Sequence, residues 1–188
     1  MQPDSYITPE AYFKLDARSD IKHEYWDGRV IAMAGAEPEH NKITANLTYE
    51  LIARLRSGNC SVVGGDQRVQ VESRYVYPDV VVTCGEEIYA QTRPRTLVNP
   101  DLLIEVLSAS TAEQDRGDKL VAYTRMASLK EYWLVESDRP VVFQYVRRGE
   151  DWVLHAVLGL EATVQSEHFS IEIPMREIYR LVLPEESR

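Results

Sequence analysis

Apolar residues in this chain recur at two spacings, and the switch between them marks out its elements. In EHNKITANLTYELIARLRSG, Ile43, Leu47, Leu51 and Leu55 return every four residues, which places them on one side of a helix that Gly58 ends. EAYFKLDA reads as a shorter helix, with the Thr8 hydroxyl as its cap and Pro9 in the first turn, where a missing N–H is harmless. HEYWDGRVIAMAG reads as a hairpin turning at Asp27-Gly28. SVVGGDQRVQVES and YVYPDVVVTCG are β-rich runs, close enough in sequence to pair as antiparallel neighbours.

A turn-prone, basic loop, QTRPRTLVNP, leads into the strand DLLIEVLS. Beyond it, Ser110 with Glu113, or Thr111 with Gln114, offers a capping box for a helix TAEQDRGDKLVAYTRMA. EYWLVES is a further strand, with Tyr132 and Trp133 expected in the core. VVFQYVRRGEDWVLHAVLG is a hairpin turning at Gly149, and HFSIEIPMREIYRLVL is a strand followed by a short helix. This order predicts an α/β or α+β fold in which a mixed sheet is flanked by helices. The 188 residues are enough for one sizeable core, so a single domain over 1–188 is expected.

One carboxylate breaks the pattern. Glu105 follows Leu102, Leu103 and Ile104 and precedes Val106 and Leu107, yet an unpaired buried carboxylate costs several kcal/mol or takes up a proton. A second acid, Asp79 in YPDVVV, opens another apolar strand. If the two strands bring these acids together, oxygen ligands with open positions suit Mg²⁺ or Mn²⁺, which bind through one or two carboxylates plus water and substrate phosphates. Lys119 lies about two turns into the following helix and could return its ammonium to the acids, holding an attacking water or stabilising charge on a phosphoryl group. Metal-assisted phosphodiester hydrolysis is the chemistry these three suggest.

At these residues the chain resembles the PD-(D/E)XK nuclease superfamily and, more closely, the large bacterial Uma-two family of proposed restriction endonucleases. The resemblance runs through HEYWDGRVIAMAG, His40, YPDVVV, LLIEVLSAST, Lys119, Tyr123 and EYWLV. It implies a restriction-endonuclease-like fold with added N- and C-terminal hairpins, a divalent-metal site, and Asp79, Glu105 and Lys119 as the active centre. It further implies the Val106 carbonyl as a metal ligand and Glu24 and His40 as completing residues, Glu24 as a second ligand to metal or water. The chain departs from the superfamily pattern at one position: two residues after Glu105 stands Leu107 instead of lysine, and Lys119 takes its place from the next helix.

Composition qualifies this picture. The net charge of −9 argues against broad, nonspecific attraction to nucleic acid, but residues 51–100 carry six basic and five acidic side chains, against five and nine in residues 1–50. Any anion-binding face is therefore expected mid-chain, and Arg93 and Arg95 are candidates for phosphate contacts at the mouth of the site. The expected partner is nucleic acid, DNA before RNA, with a homodimer through the 141–159 hairpin edge. The N-terminus has neither a secretory signal nor a membrane anchor, so a cytoplasmic location is expected, with Cys60 and Cys84 as buried free thiols. The competing function class is a nuclease-like scaffold that binds nucleic acid or a protein without catalysis. A third is hydrolysis of some other phosphorylated compound.

Overall fold

The computed structural model describes residues 6–33, 35–108 and 112–183. Helix α1 (Pro9–Asp16) starts where its cap predicts, with Thr8 Oγ1 accepting from Ala11 N at 3.3 Å. Strands β1 (His23–Trp26) and β2 (Arg29–Ala32) form the expected hairpin. Its turn places Asp27 and Gly28 at φ of 46° and 93°, and a Cβ on Gly28 would stand 2.2 Å from the Tyr6 ring. Only glycine fits there. Helix α2 (Pro38–Leu55) buries Ile43, Leu47, Leu51 and Leu55, as the four-residue spacing requires.

The two β-rich runs pair, though in two separate ladders. β3 (Cys60–Gly64) joins β6 (Val80–Cys84), while β4 (Val69–Val71) joins β5 (Arg74–Val76). The chain changes sheet at Gly64-Gly65 and at Pro78, which has no N–H to give to a ladder. Two short strands follow, β7 (Tyr89–Ala90) just before the basic loop and β8 (Thr96–Leu97) within it.

Strand β9 (Leu102–Leu107) carries Glu105. The helix after it is shorter than its pattern suggests: α3 (Ala112–Gln114), a π turn at Asp115–Lys119, and α4 (Leu120–Thr124). The capping-box residues Ser110 and Thr111 lie outside the described residues. There follow β10 (Glu131–Glu136), β11 (Val141–Arg148) and β12 (Asp151–Leu158), then the pair β13 (Thr163–Ser166) and β14 (Ile171–Pro174), then α5 (Met175–Ile178). The reading from sequence lacked β13, whose TVQS carries one apolar residue.

The central sheet runs β12-β11-β10-β9-β6-β3, and a second sheet runs β2-β1-β5-β4-β8-β7. β9 is parallel to β10 and antiparallel to β6, so all six of its residues are buried. Alternation along β9 and β6 divides two cores. Leu102, Ile104, Val106, Val80 and Val82 pack with α2 and α5 on one face. On the other, Leu103, Leu107 and Val81 pack with Tyr123, Tyr132 and Leu134. Each such side chain, fully buried, contributes about 1.5–3 kcal/mol. Tyr132 and Trp133 are both core residues, one on each face.

The expectation of free thiols is overturned. Cys60 and Cys84 stand directly opposite in the β3–β6 ladder and form a disulfide. Strand pairing brought together two residues that are 24 apart in sequence, a relation that their spacing does not reveal. Closing a loop of that length contributes about 2–4 kcal/mol by constraining the unfolded chain.

Candidate active site

Asp79 and Glu105 meet because of strand register. The β6–β9 ladder pairs Val82 with Leu102, Val81 with Leu103 and Val80 with Ile104, and one further step sets Asp79 opposite Glu105. Asp79 shares its face with Val81, and Glu105 its face with Leu103 and Leu107. The chain at Asp79 has just left Pro78, so its carboxylate crosses to the neighbouring strand: Oδ2 accepts from Val106 N at 2.7 Å. The same oxygen lies 3.1 Å from His40 Nε2, at the start of α2. Burial works to lower the pKa of His40. The bond to Asp79 and its charge, with the charge of Asp115 and a hydrogen bond to the Val106 backbone, outweigh burial and raise it.

Lys119 reaches back to β9. Its Nζ lies 3.0 Å from Glu105 Oε1, 3.0 Å from Asp115 Oδ1 and 3.3 Å from Glu24 Oε1, and only 6% of the side chain is exposed. The π turn presents Asp115 and Lys119 inward while Arg116, Gly117 and Asp118 face solvent. Such turns often occur at functional sites. Tyr132 fixes the turn by donating to the Asp115 carbonyl at 3.1 Å, and Tyr123 donates to Glu105 Oε1 at 2.9 Å. Glu24 is held from two sides, by Trp26 Nε1 and by Tyr77 N, each at 3.2 Å.

Three carboxylates thus surround one ammonium. Burial alone would lower the Lys119 pKa, but the charges of Glu105, Glu24 and Asp115 raise it well above its ordinary value, so the ammonium is retained. Burial pushes the Glu105 carboxyl well up; Lys119 opposes this, while Asp115, Asp79 and Glu24 add to it. The cluster is short of positive charge. Glu131 makes a useful contrast: it too is fully buried, yet its carboxylate is satisfied by Trp133 Nε1 and Ser166 Oγ on the opposite side of the sheet.

Leu107 explains the displaced lysine. At 2% exposure it packs in the core with Tyr123, Tyr132 and Leu134, on the face where Glu105 projects, so the strand has no room there for an ammonium. The helix covering that face supplies it. Glu24, Asp79, Glu105, Val106, Lys119 and His40 therefore gather in one place, and Asp115 joins them. Sequence reasoning missed Asp115, although its position one helical turn before Lys119 was a usable signal. Arg95 lies elsewhere, stacked 4.3 Å from the Tyr89 ring, and Arg93 lines a separate cleft.

A family model described as "Putative restriction endonuclease", Uma2, matches residues 9–176. The chain belongs to the Uma2 family. Two Synechocystis proteins are similar to this Uma2 chain along most of its length. The uncharacterised slr1290 is 33% identical over 168 residues, covering 88% of this chain and 86% of its own. The uncharacterised sll1609 is 29% identical over 168 residues, covering 88% and 95%. A crystal structure of a chain described as a putative nuclease from Anabaena variabilis shares the fold, with a TM-score of 0.75 and 17% identity over 94% of this chain and 99% of that one. The mixed α+β, restriction-endonuclease-like architecture is thereby established for this Uma2 member.

The donor set is of the kind a hard divalent cation takes. Two carboxylates and a peptide carbonyl, at Asp79, Glu105 and Val106, are oxygen ligands of the type Mg²⁺ completes with water. Among the described residues, no three His, Cys, Asp or Glu side chains are grouped to enclose an ion by themselves.

Proposed function

We propose that this protein is a divalent-metal-dependent endonuclease acting on nucleic acid, DNA before RNA. The observation that carries the reading is Lys119: it approaches within 3.0 Å of Glu105 from another element, beside an acid from the neighbouring strand. In this reading Asp79, Glu105 and the Val106 carbonyl hold Mg²⁺ or Mn²⁺. When bound, the ion supplies a Lewis acid for the phosphate and acidifies water. Lys119 orients the attacking water and offsets charge growing on the phosphoryl oxygens. Glu24 and Asp115 keep Lys119 charged and aimed, and His40 positions Asp79.

Incubation with plasmid DNA and with RNA, in Mg²⁺, Mn²⁺ or EDTA, tests the assignment. Metal-dependent scission is expected. Intact polynucleotide under every metal would leave the non-catalytic scaffold as the better reading, and turnover confined to small phosphodiesters would point to another substrate.

A homodimer belongs to the same proposal. β12 is an outer strand of the central sheet and exposes Val153, Leu154 and Leu158, so its edge is open to a second copy. Sedimentation at micromolar concentration is expected to give a dimer, and a monomer would remove this part of the account. No helix among the described residues is long and apolar enough to cross a membrane.

A further inference from the structure

A cleft of about 420 Å³ opens between α1 and the loop that precedes β8. Lys14, Arg18 and Arg93 line it, together with Phe13, Gln91 and Thr92, and no carboxylate does. Two of these cations come from residues 1–50, where acids outnumber bases nine to five. They have gathered against the charge of their own segment.

Their lack of close ion pairs sets them apart from another basic hollow of the chain. A cavity of about 300 Å³ beside the disulfide is lined by Arg54, Lys130 and His168, but each of these is engaged. Arg54 pairs with Glu50, Lys130 with Asp101 at 3.0 Å, and His168 contacts the Arg147 carbonyl at 3.2 Å. Among the described residues, Lys14, Arg18 and Arg93 have no ion pair within 4.0 Å, and Lys14 acts on Glu10, one turn earlier on α1, only from beyond that distance. Three exposed like charges repel one another, so their convergence stabilises nothing in the fold by itself.

The walls of the cleft are rigidly joined. Arg68 is 1% exposed and sits beneath them, against the Phe13 ring at 4.9 Å. It donates to the Pro94 carbonyl at 2.7 Å and to Thr96 Oγ1 at 2.9 Å, and reaches Asp16 of α1 at 3.4 Å. Thr92 Oγ1 adds a bond to the same Pro94 carbonyl at 2.9 Å. One buried guanidinium thus fixes the backbone carrying Arg93 against the helix carrying Lys14. Asp16 also accepts from Tyr77 OH at 3.3 Å, and Tyr77 lies two residues before Asp79.

From this we infer that the Lys14–Arg18–Arg93 cleft holds the phosphodiester backbone of a single-stranded nucleic acid segment outside the cutting centre. The cations take the phosphates, Gln91 supplies a neutral hydrogen bond, and the open part of Phe13 gives a surface for a sugar or base. The inference rests on the nuclease reading for the identity of its ligand.

The test measures binding without cutting. The full-length protein, in EDTA, is titrated into a fluorescein-labelled single-stranded DNA 20-mer over a range of salt, read by anisotropy. Lys14→Gln/Arg18→Gln/Arg93→Gln is compared with Arg139→Gln/Arg148→Gln/Arg176→Gln, which removes the same charge from arginines paired elsewhere. Matching circular dichroism of the folded variants is the control. The cleft variant is expected to bind at least about tenfold more weakly and to lose about 2 from the slope of log K against log salt, at roughly 0.7 per contact removed. The second variant is expected to change by less than about twofold, since distant charges are largely screened. Equal losses in both variants, unchanged binding by the cleft variant, or no binding by the wild type would each overturn the inference. Strong, cleft-dependent binding without scission in Mg²⁺ would instead defeat the nuclease reading and leave the cleft in place.

Discussion

Replacing Lys119 by methionine is expected to destabilise the fold by about 3–5 kcal/mol, whereas Glu105→Gln is expected to leave stability equal or higher, although both abolish cutting. The asymmetry follows from the charge count. Among the described residues, Lys119 brings the ammonium that lies within 3.3 Å of Glu24, Glu105 and Asp115, so its loss leaves the negative charge of three buried carboxylates without the cation that offsets it, whatever hydrogen bonds they keep. Glu105→Gln removes one negative charge from a site with too many, and its amide oxygen can still accept from Tyr123 and Lys119. Urea unfolding of the three proteins, beside their activity, checks this. Equal destabilisation by both substitutions would mean that Lys119 does not carry the charge balance of the cluster.

Mg²⁺ should raise the melting temperature of the wild type and leave that of Asp79→Asn unmoved. A ligand at a hundredfold excess over its dissociation constant stabilises the native state by about 2.7 kcal/mol. For a chain of this size that is about 5–10 °C. Asparagine keeps an oxygen to accept from Val106 N, so the variant should fold with little change, having lost a charged ligand. Thermal unfolding with and without Mg²⁺ separates the effects. A wild-type shift that survives Asp79→Asn would place the ion elsewhere.

The sequence displayed the parts of this site better than their assembly. Helix α2 and the two long hairpins follow from periodicity and turn residues, because each is fixed by neighbours along the chain. Asp79 and Glu105 stood out as acids set against apolar strands. The splitting of the β-rich runs between two sheets was hidden, since either pairing satisfies the same alternation. So was the Cys60–Cys84 bond, which depends on that pairing. Asp115 escaped notice because an acid on a helix is usually solvated, and only the π turn directs it inward. Lys119 was a candidate from its place in the following helix, and the resemblance supported its assignment in place of the lysine missing from the strand. The fold supplies the physical reason for its position: Leu107 fills the strand site, and the covering helix brings the charge from above.

The central claim, that Glu105 and its partners form a metal-dependent cutting centre, is tested most directly by cleavage of labelled DNA and RNA. Wild type and Glu105→Gln, both shown to be folded, are compared at equal concentration in Mg²⁺, Mn²⁺ and EDTA. The account predicts metal-dependent scission by the wild type, none in EDTA, and a rate lower by at least about 10²–10³ for the variant. Equal cutting by both proteins, or none by the wild type with either metal, would contradict it.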